Sequence, residues 1–104
     1  GIVDFIVEKL NSQINLSKKT VGILGMAFKA ESDDIRNSLS YKLKKILKLK
    51  ARRVLTSDPY VKTDKDLIDI NKLLKASDIL ILACPHKLYK KLKTQKPIIN
   101  IWDI

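Results

Sequence analysis

From Ile2 the apolar positions fall at helical spacing. Ile2, Val3, Phe5, Ile6, Val7 and Leu10 form one broad face, which predicts a helix over residues 2–13. Residues 14–19 lose the period and read as a connector. Residues 20–26, TVGILGM, are an apolar run that holds Gly22 and Gly25, with the small Ala27 just behind. A short run without alternation predicts a strand buried on both faces. Its glycines predict close approach to another backbone or to a ligand. A polar stretch follows, FKAESDDIRNS. Ser38 or Asn37 can cap the next helix. In that helix Leu39, Leu43, Ile46 and Leu47 share a face, while Lys42, Lys44, Lys45 and Lys48 fall mostly on the other.

A second strand spans residues 53–56 and ends at Asp58-Pro59. A second amphipathic helix runs from about 65 to 75, with Leu67, Ile68, Ile70, Leu73 and Leu74 inward. After Asp78 the run ILILAC predicts a third strand, halted by Pro85. A short helix over about 86–93 and a last strand, IINI at 98–101 after Pro97, complete the pattern. Continuous apolar strands alternating with helices predict a parallel sheet covered on both faces. The expected class is α/β: a Rossmann-like, doubly wound three-layer sandwich with a mostly parallel sheet of four to five strands. With right-handed crossovers the order of the four strands is 2-1-3-4. The first strand then lies beside the topological switch point, where such sheets bind ligands. The loop over residues 27–38 is therefore the first place to look for function.

Length bounds the picture next: 104 residues make one domain, too few for a cofactor domain plus a substrate domain. No apolar run approaches the roughly 20 residues of a membrane span. Asp4 and Glu8 interrupt the N-terminal apolar residues, unlike a signal peptide. The lone Cys84 offers neither an internal disulfide nor a zinc cluster. A soluble protein of the reducing cytoplasm is expected, with no metal and no membrane partner. The net charge of +10 raises the question of a polyanion. Lysine, however, far outnumbers Arg36, Arg52 and Arg53, and the aromatics are few and scattered. Neither favours nucleic-acid readout. A charged nucleotide, or an acidic domain elsewhere in the protein, accounts for the charge as well.

The candidate chemistry sits in the loops. Gly22-x-x-Gly25-x-Ala27 is a reduced relative of the G-x-G-x-x-G dinucleotide fingerprint. The nearest strand-end acid, Asp58, comes well beyond the roughly 20 residues at which that fingerprint places its ribose-binding acid. The glycines can instead serve close packing. Lys29, just past the first strand, could hold a phosphate or a sugar oxygen, or be one solvated lysine among many. Arg36 near a helix start suits an anion, or an ion pair with Asp33 or Asp34. Cys84 reads as a small buried hydrophobe and Asp58 as a brace for its turn. His86 reads as a surface histidine. No nucleophile–base pair can be assembled, so the chain reads as a binder with no catalytic residue of its own.

Residues 21–38, VGILGMAFKAESDDIRNS, resemble the start of the C-terminal domain of the UDP-glucose/GDP-mannose dehydrogenase family. That family shows a glycine-rich strand, then Phe-Lys, then a Thr-Asp-Asp-x-Arg-x-Ser run. Phe28-Lys29 and Ser32 through Ser38 match in order and spacing. Asp58-Pro59-Tyr60, Ala76-Ser77-Asp78, Pro85-His86-Lys87 and the closing IINIWDI extend the likeness over nearly the whole chain. Residues 2–10 resemble the end of the preceding segment. The expected division is therefore 1–17, the end of an interdomain helix and connector, and 18–104, the C-terminal nucleotide-sugar-binding domain.

The resemblance implies an NAD-dependent nucleotide-sugar 6-dehydrogenase, which oxidises the C6 alcohol of a UDP-sugar to the uronate for polysaccharide synthesis. NAD would be held mainly by an N-terminal Rossmann domain, and a cysteine outside these residues would capture the aldehyde, so Cys84 is not that group. Phe28 and Lys29 would contact the nucleotide sugar. Arg36 would reach NAD across the interdomain cleft. The full-length enzyme would be a homodimer. Ser32 for threonine and Leu39 for proline are mild departures. Trp102, in a segment where many UDP-glucose-oxidising relatives carry a substrate-contacting arginine, turns the expectation toward a UDP-N-acetylhexosamine. The alternative is a free-standing Rossmann-like nucleotide-binding or regulatory module without catalysis.

Overall fold

All five residues of β1 (Thr20–Leu24) are buried, as its unbroken apolar run requires. β1 pairs in parallel with β2 (Arg53–Ser57) on one side and β3 (Ile79–Leu82) on the other. β4 (Ile98–Asn100) adds in parallel to β3, which gives the expected order β2-β1-β3-β4 in a four-stranded, all-parallel sheet. The computed structural model describes residues 1–103; Ile104, the end of the expected closing segment, lies outside them.

The two-residue period of the strands sorts the layers. Val21, Ile23, Ile79 and Ile81 face α1 (Ile2–Gln13) and α2 (Leu39–Lys50), whose Val3, Ile6, Val7, Leu10, Leu43 and Leu47 complete one core. Leu24, Leu55 and Leu80 face Leu73 of α3 (Ile70–Ala76) and Tyr89 in a 3-10 turn over Lys87–Lys91. Gly22 lies under α3: a Cβ there would meet Leu73 Cδ2 at 2.5 Å and also strike the Ser77 hydroxyl. Tight strand–helix packing, one of the two roles open to that glycine from the sequence, is thus the observed one. No helix among the described residues is long and apolar enough to cross a membrane.

Several boundaries differ from the sequence expectation. The helix expected from about 65 begins only at Ile70, because Asp69 caps it by accepting from the N–H groups of Asn71 and Lys72. Leu67 and Ile68 still pack inward. Ile68, however, lies in the irregular link before α3, and its N–H donates to Thr56 O on the edge strand at 2.9 Å. The run at 20–26 stops being strand after Leu24, since Gly25 turns the chain with φ 93°. The short helix expected at 86–93 is the 3-10 turn, and β4 passes straight into another over Ile101–Asp103.

Candidate functional site

The loop over residues 27–38 leaves the sheet between β1 and β3, at the switch point. Its first turn is fastened by one carboxylate. Asp58 Oδ2 accepts from the Met26 N–H at 2.7 Å and the Ala27 N–H at 3.0 Å. Its Oδ1 accepts from the N–H groups of Tyr60 and Val61 at 2.8 and 3.3 Å. The same Oδ2 lies 2.8 Å from His86 Nε2. Burial pushes this carboxyl up, yet the hydrogen bonds from His86, Tyr60 and Met26 outweigh it and hold Asp58 below the usual carboxylate range.

His86 is not the surface residue expected; it is 1% exposed. Its Nδ1 lies 2.8 Å from the Glu31 backbone nitrogen. That N–H can only donate, so Nδ1 presents its lone pair and the proton sits on Nε2, directed at Asp58. Both ring nitrogens are satisfied, which removes the usual cost of burying them. The rings of Tyr60 and Tyr89 pack on it at 4.7 and 5.5 Å between centroids. The Asp58–His86 pair escaped the sequence reading, though a signal was present. Asp58-Pro59 and Pro85-His86 both follow strand ends, and in a parallel sheet those ends share one edge.

The loop between these fastenings projects outward. Phe28 is 54% exposed and Lys29 is exposed beside it. The Phe28 N–H donates to Asp34 O at 2.6 Å, which closes the loop on itself. Asp34, not Asp33, is the partner of Arg36: Nε and the terminal nitrogen donate to its two oxygens at 3.0 and 2.8 Å. The Arg36 side chain, with its backbone N–H, holds the Asp34 carboxyl down at about 2. The Arg36 side chain is 86% exposed, so this pair does little for stability. It fixes the direction in which a cation faces the solvent.

Ser38, not Asn37, caps α2 by accepting from the Ser40 N–H, and its hydroxyl donates to Met26 O at 2.8 Å. Ser40 Oγ donates to Gly25 O at 2.7 Å. Together they anchor the helix start to the end of β1. A crevice of about 190 Å³ opens here, lined by Ala27, Phe28, Asn37, Leu39, Ser40, Ala83 and Trp102. Trp102 Nε1 donates to Ala83 O at 3.3 Å, and half of the residue stays exposed. Phe28 lines this crevice, whereas Lys29 and Arg36 lie outside its lining.

Two further groups bear on chemistry. The backbone N–H groups of Met26 and Ala27, where a dinucleotide-binding turn would hold a pyrophosphate, are already given to Asp58. The residues of this turn therefore do not fit a resident NAD. Cys84 is 1% exposed, and burial, with the charges of Asp58 and Glu31, pushes its thiol up to about 12. In the folded chain Cys84 is expected to resist iodoacetamide at neutral pH and to react once urea unfolds it, followed by mass spectrometry. Rapid alkylation of the native chain would contradict its burial.

The family model described as the UDP-glucose/GDP-mannose dehydrogenase family, UDP binding domain, matches residues 22–101. The chain is 32% identical to the UDP-N-acetyl-D-mannosamine dehydrogenase of Pyrococcus horikoshii, over 86% of this chain and 21% of that protein. It is 33% identical to Protein CapL of Staphylococcus aureus, over 92% of this chain and 24% of that protein. It thus spans about a fifth to a quarter of the length of these curated relatives. Among solved structures, the P. horikoshii UDP-D-ManNAc dehydrogenase superposes with TM-score 0.74 at 27% identity, over 95% of this chain and 25% of that one. A UDP-glucose dehydrogenase from Pyrobaculum islandicum shares the fold with TM-score 0.80 at 24% identity, over 95% of this chain and 26% of that one.

Proposed function

The chain belongs to the UDP-glucose/GDP-mannose dehydrogenase family, and on that premise we propose that it is the substrate-binding C-terminal domain of an NAD-dependent UDP-sugar 6-dehydrogenase. The substrate is a UDP-N-acetylhexosamine, whose C6 alcohol becomes the uronate carboxylate for polysaccharide synthesis in the cytoplasm. The observation that carries this reading is the outward loop at the switch point, which exposes Phe28 and Lys29 side by side, with Phe28 lining the Trp102 crevice.

Each residue has work suited to its chemistry. Phe28 and Trp102, two half-exposed aromatics that line the same crevice, offer apolar surface to a planar base or a sugar face. The Lys29 ammonium supplies a charge-assisted hydrogen bond to the pyrophosphate or a sugar oxygen. Arg36, aimed by Asp34, is this domain's contact to NAD. The cofactor itself is held mainly by an N-terminal domain of the same enzyme, in keeping with the occupied N–H groups of Met26 and Ala27. The oxidation takes place outside these residues; this domain binds and orients. Residues 1–17 form the end of the interdomain helix and its connector, and 18–104 the nucleotide-sugar-binding domain. The exposed Ile2 and Phe5 on α1 suit a helix covered further in the longer, homodimeric enzyme.

An amide NMR titration with UDP-N-acetyl-D-mannosamine, and separately with NAD, tests this. The UDP-sugar is expected to shift residues 27–36 and Trp102. Lys29→Ala should weaken its binding about tenfold or more, the effect of one lost hydrogen bond to a charged group. NAD alone should leave the β1 turn unmoved. Tight NAD binding at Gly25–Ala27, or UDP-sugar shifts confined to another face, would overturn the assignment.

A further inference from the structure

We propose that His86 is the positioning residue of the substrate loop, its imidazole clasping the Glu31 amide so that the arc bearing Phe28 and Lys29 keeps its shape. The inference rests on the substrate-domain reading for the loop's purpose, and on geometry for the clasp. The arc is held at its two ends by a single buried pair. Ala27 N–H donates to Asp58 Oδ2 at 3.0 Å, and Glu31 N–H donates to His86 Nδ1 at 2.8 Å. His86 Nε2 meets the same Asp58 oxygen at 2.8 Å, so the start and the end of the arc are referred to one point.

The far end needs such a hold. Glu31 sits at φ 56°, a left-handed conformation that a side-chain-bearing residue adopts only against a steric cost. The Nδ1 acceptor fixes its amide in that conformation. The Glu31 carboxylate adds a second strap by accepting the Lys87 N–H at 2.8 Å. The imidazole itself cannot swing. Its backbone N–H donates to Cys84 O at 2.9 Å, and the rings of Tyr60 and Tyr89 flank it. His86 acts through the backbone of Glu31 and not by touching substrate.

Two amide variants separate the clasp from general support of the fold. His86→Asn keeps an acceptor near the Nδ1 position and loses the donor to Asp58. His86→Gln keeps a donor near Nε2 and loses the acceptor for Glu31. Amide hydrogen exchange at Glu31 and titration with UDP-N-acetyl-D-mannosamine are read on both. The Gln variant is expected to exchange the Glu31 amide at least tenfold faster and to bind about tenfold more weakly, while Asn stays within about threefold of wild type in both. Equal behaviour of Asn and Gln at Glu31 overturns the proposal. Should neither variant fold, the wild-type chain decides: scalar coupling between Glu31 15N and His86 15Nδ1 across the hydrogen bond is expected, and its absence refutes the clasp. If wild type binds no UDP-sugar while the Asn–Gln split at Glu31 persists, the substrate reading fails and the clasp stands.

Discussion

Asp58→Ala is expected to cost the domain about 3–5 kcal/mol, since it strands several donors at once and each buried donor left unsatisfied costs roughly 1–3 kcal/mol, less than additively for neighbours. The carboxylate takes the N–H groups of Met26, Ala27, Tyr60 and Val61, and it faces His86 Nε2. Alanine leaves the Met26, Ala27 and Val61 N–H groups and His86 Nε2 buried without this acceptor, and Tyr60 N–H partly so. A domain of this kind has roughly 5–15 kcal/mol of stability in total, so the loss removes much of the folded population under mild denaturant. Asp58→Asn should be almost as damaging, because its amide NH₂ turns a donor toward other donors. Urea unfolding followed by circular dichroism checks both. An Asn variant with the wild-type midpoint would show that the carboxylate is not what holds the turn.

The same group gives the acid limb of stability a sign. Asp58 has its folded pKa below the unfolded value. Its contribution is therefore fully present above the unfolded pKa of about 3.9 and is lost as pH falls through the folded value. The wild-type urea midpoint should drop on acidification below about pH 4, and the part of that drop due to Asp58 should vanish in Asp58→Ala.

Gly25→Ala is the second large effect expected, at roughly 2–6 kcal/mol from backbone strain and overpacking together. Gly25 has φ 93°, which an alanine adopts only with strain. A Cβ there would stand 2.6 Å from both Cys84 Cβ and Cys84 O, and 2.9 Å from Cys84 N. Backbone of the neighbouring strand end cannot step aside without breaking the Cys84 and Ala83 hydrogen bonds to Leu24 O. Gly22→Ala makes a useful contrast. Its added methyl meets the Leu73 side chain and the Ser77 hydroxyl, which can rotate or shift with α3. It should cost about 1–3 kcal/mol. Chemical denaturation of the two variants side by side should rank Gly25→Ala as the more damaging. The reverse order would mean that the close approach of β1 to β3 at the loop is not rigid.

The glycine contrast also shows where sequence reasoning had purchase. The run TVGILGM announced a doubly covered strand with close neighbours, since no alternating pattern survives burial on both faces. What approached each glycine was beyond it: a helix side chain at Gly22, a neighbouring strand's backbone at Gly25. The motif from Phe28 to Ser38 marked the candidate loop and its exposed side chains. It left the partner of Arg36 open between Asp33 and Asp34, and the cap of α2 open between Asn37 and Ser38. The fold chose Asp34 and Ser38 through the loop's own backbone path, with Asn37 at φ 56°.

By itself, then, the sequence determined the alternation of helix and strand, the parallel order β2-β1-β3-β4 and the location of the loop, because hydrophobic period and turn residues act locally. Only the tertiary structure decided that Asp58 and His86 meet beneath that loop, and that Ile68 gives its N–H to Thr56 on the edge strand. His86 reads as a surface polar residue in any local window. It is buried because the ends of β2 and β3, with β1 between them, bring Asp58 to one ring nitrogen, while the loop after β1 brings the Glu31 amide to the other. A hydrogen bond between distant residues leaves no period in the chain, so no count of apolar spacing could have found it.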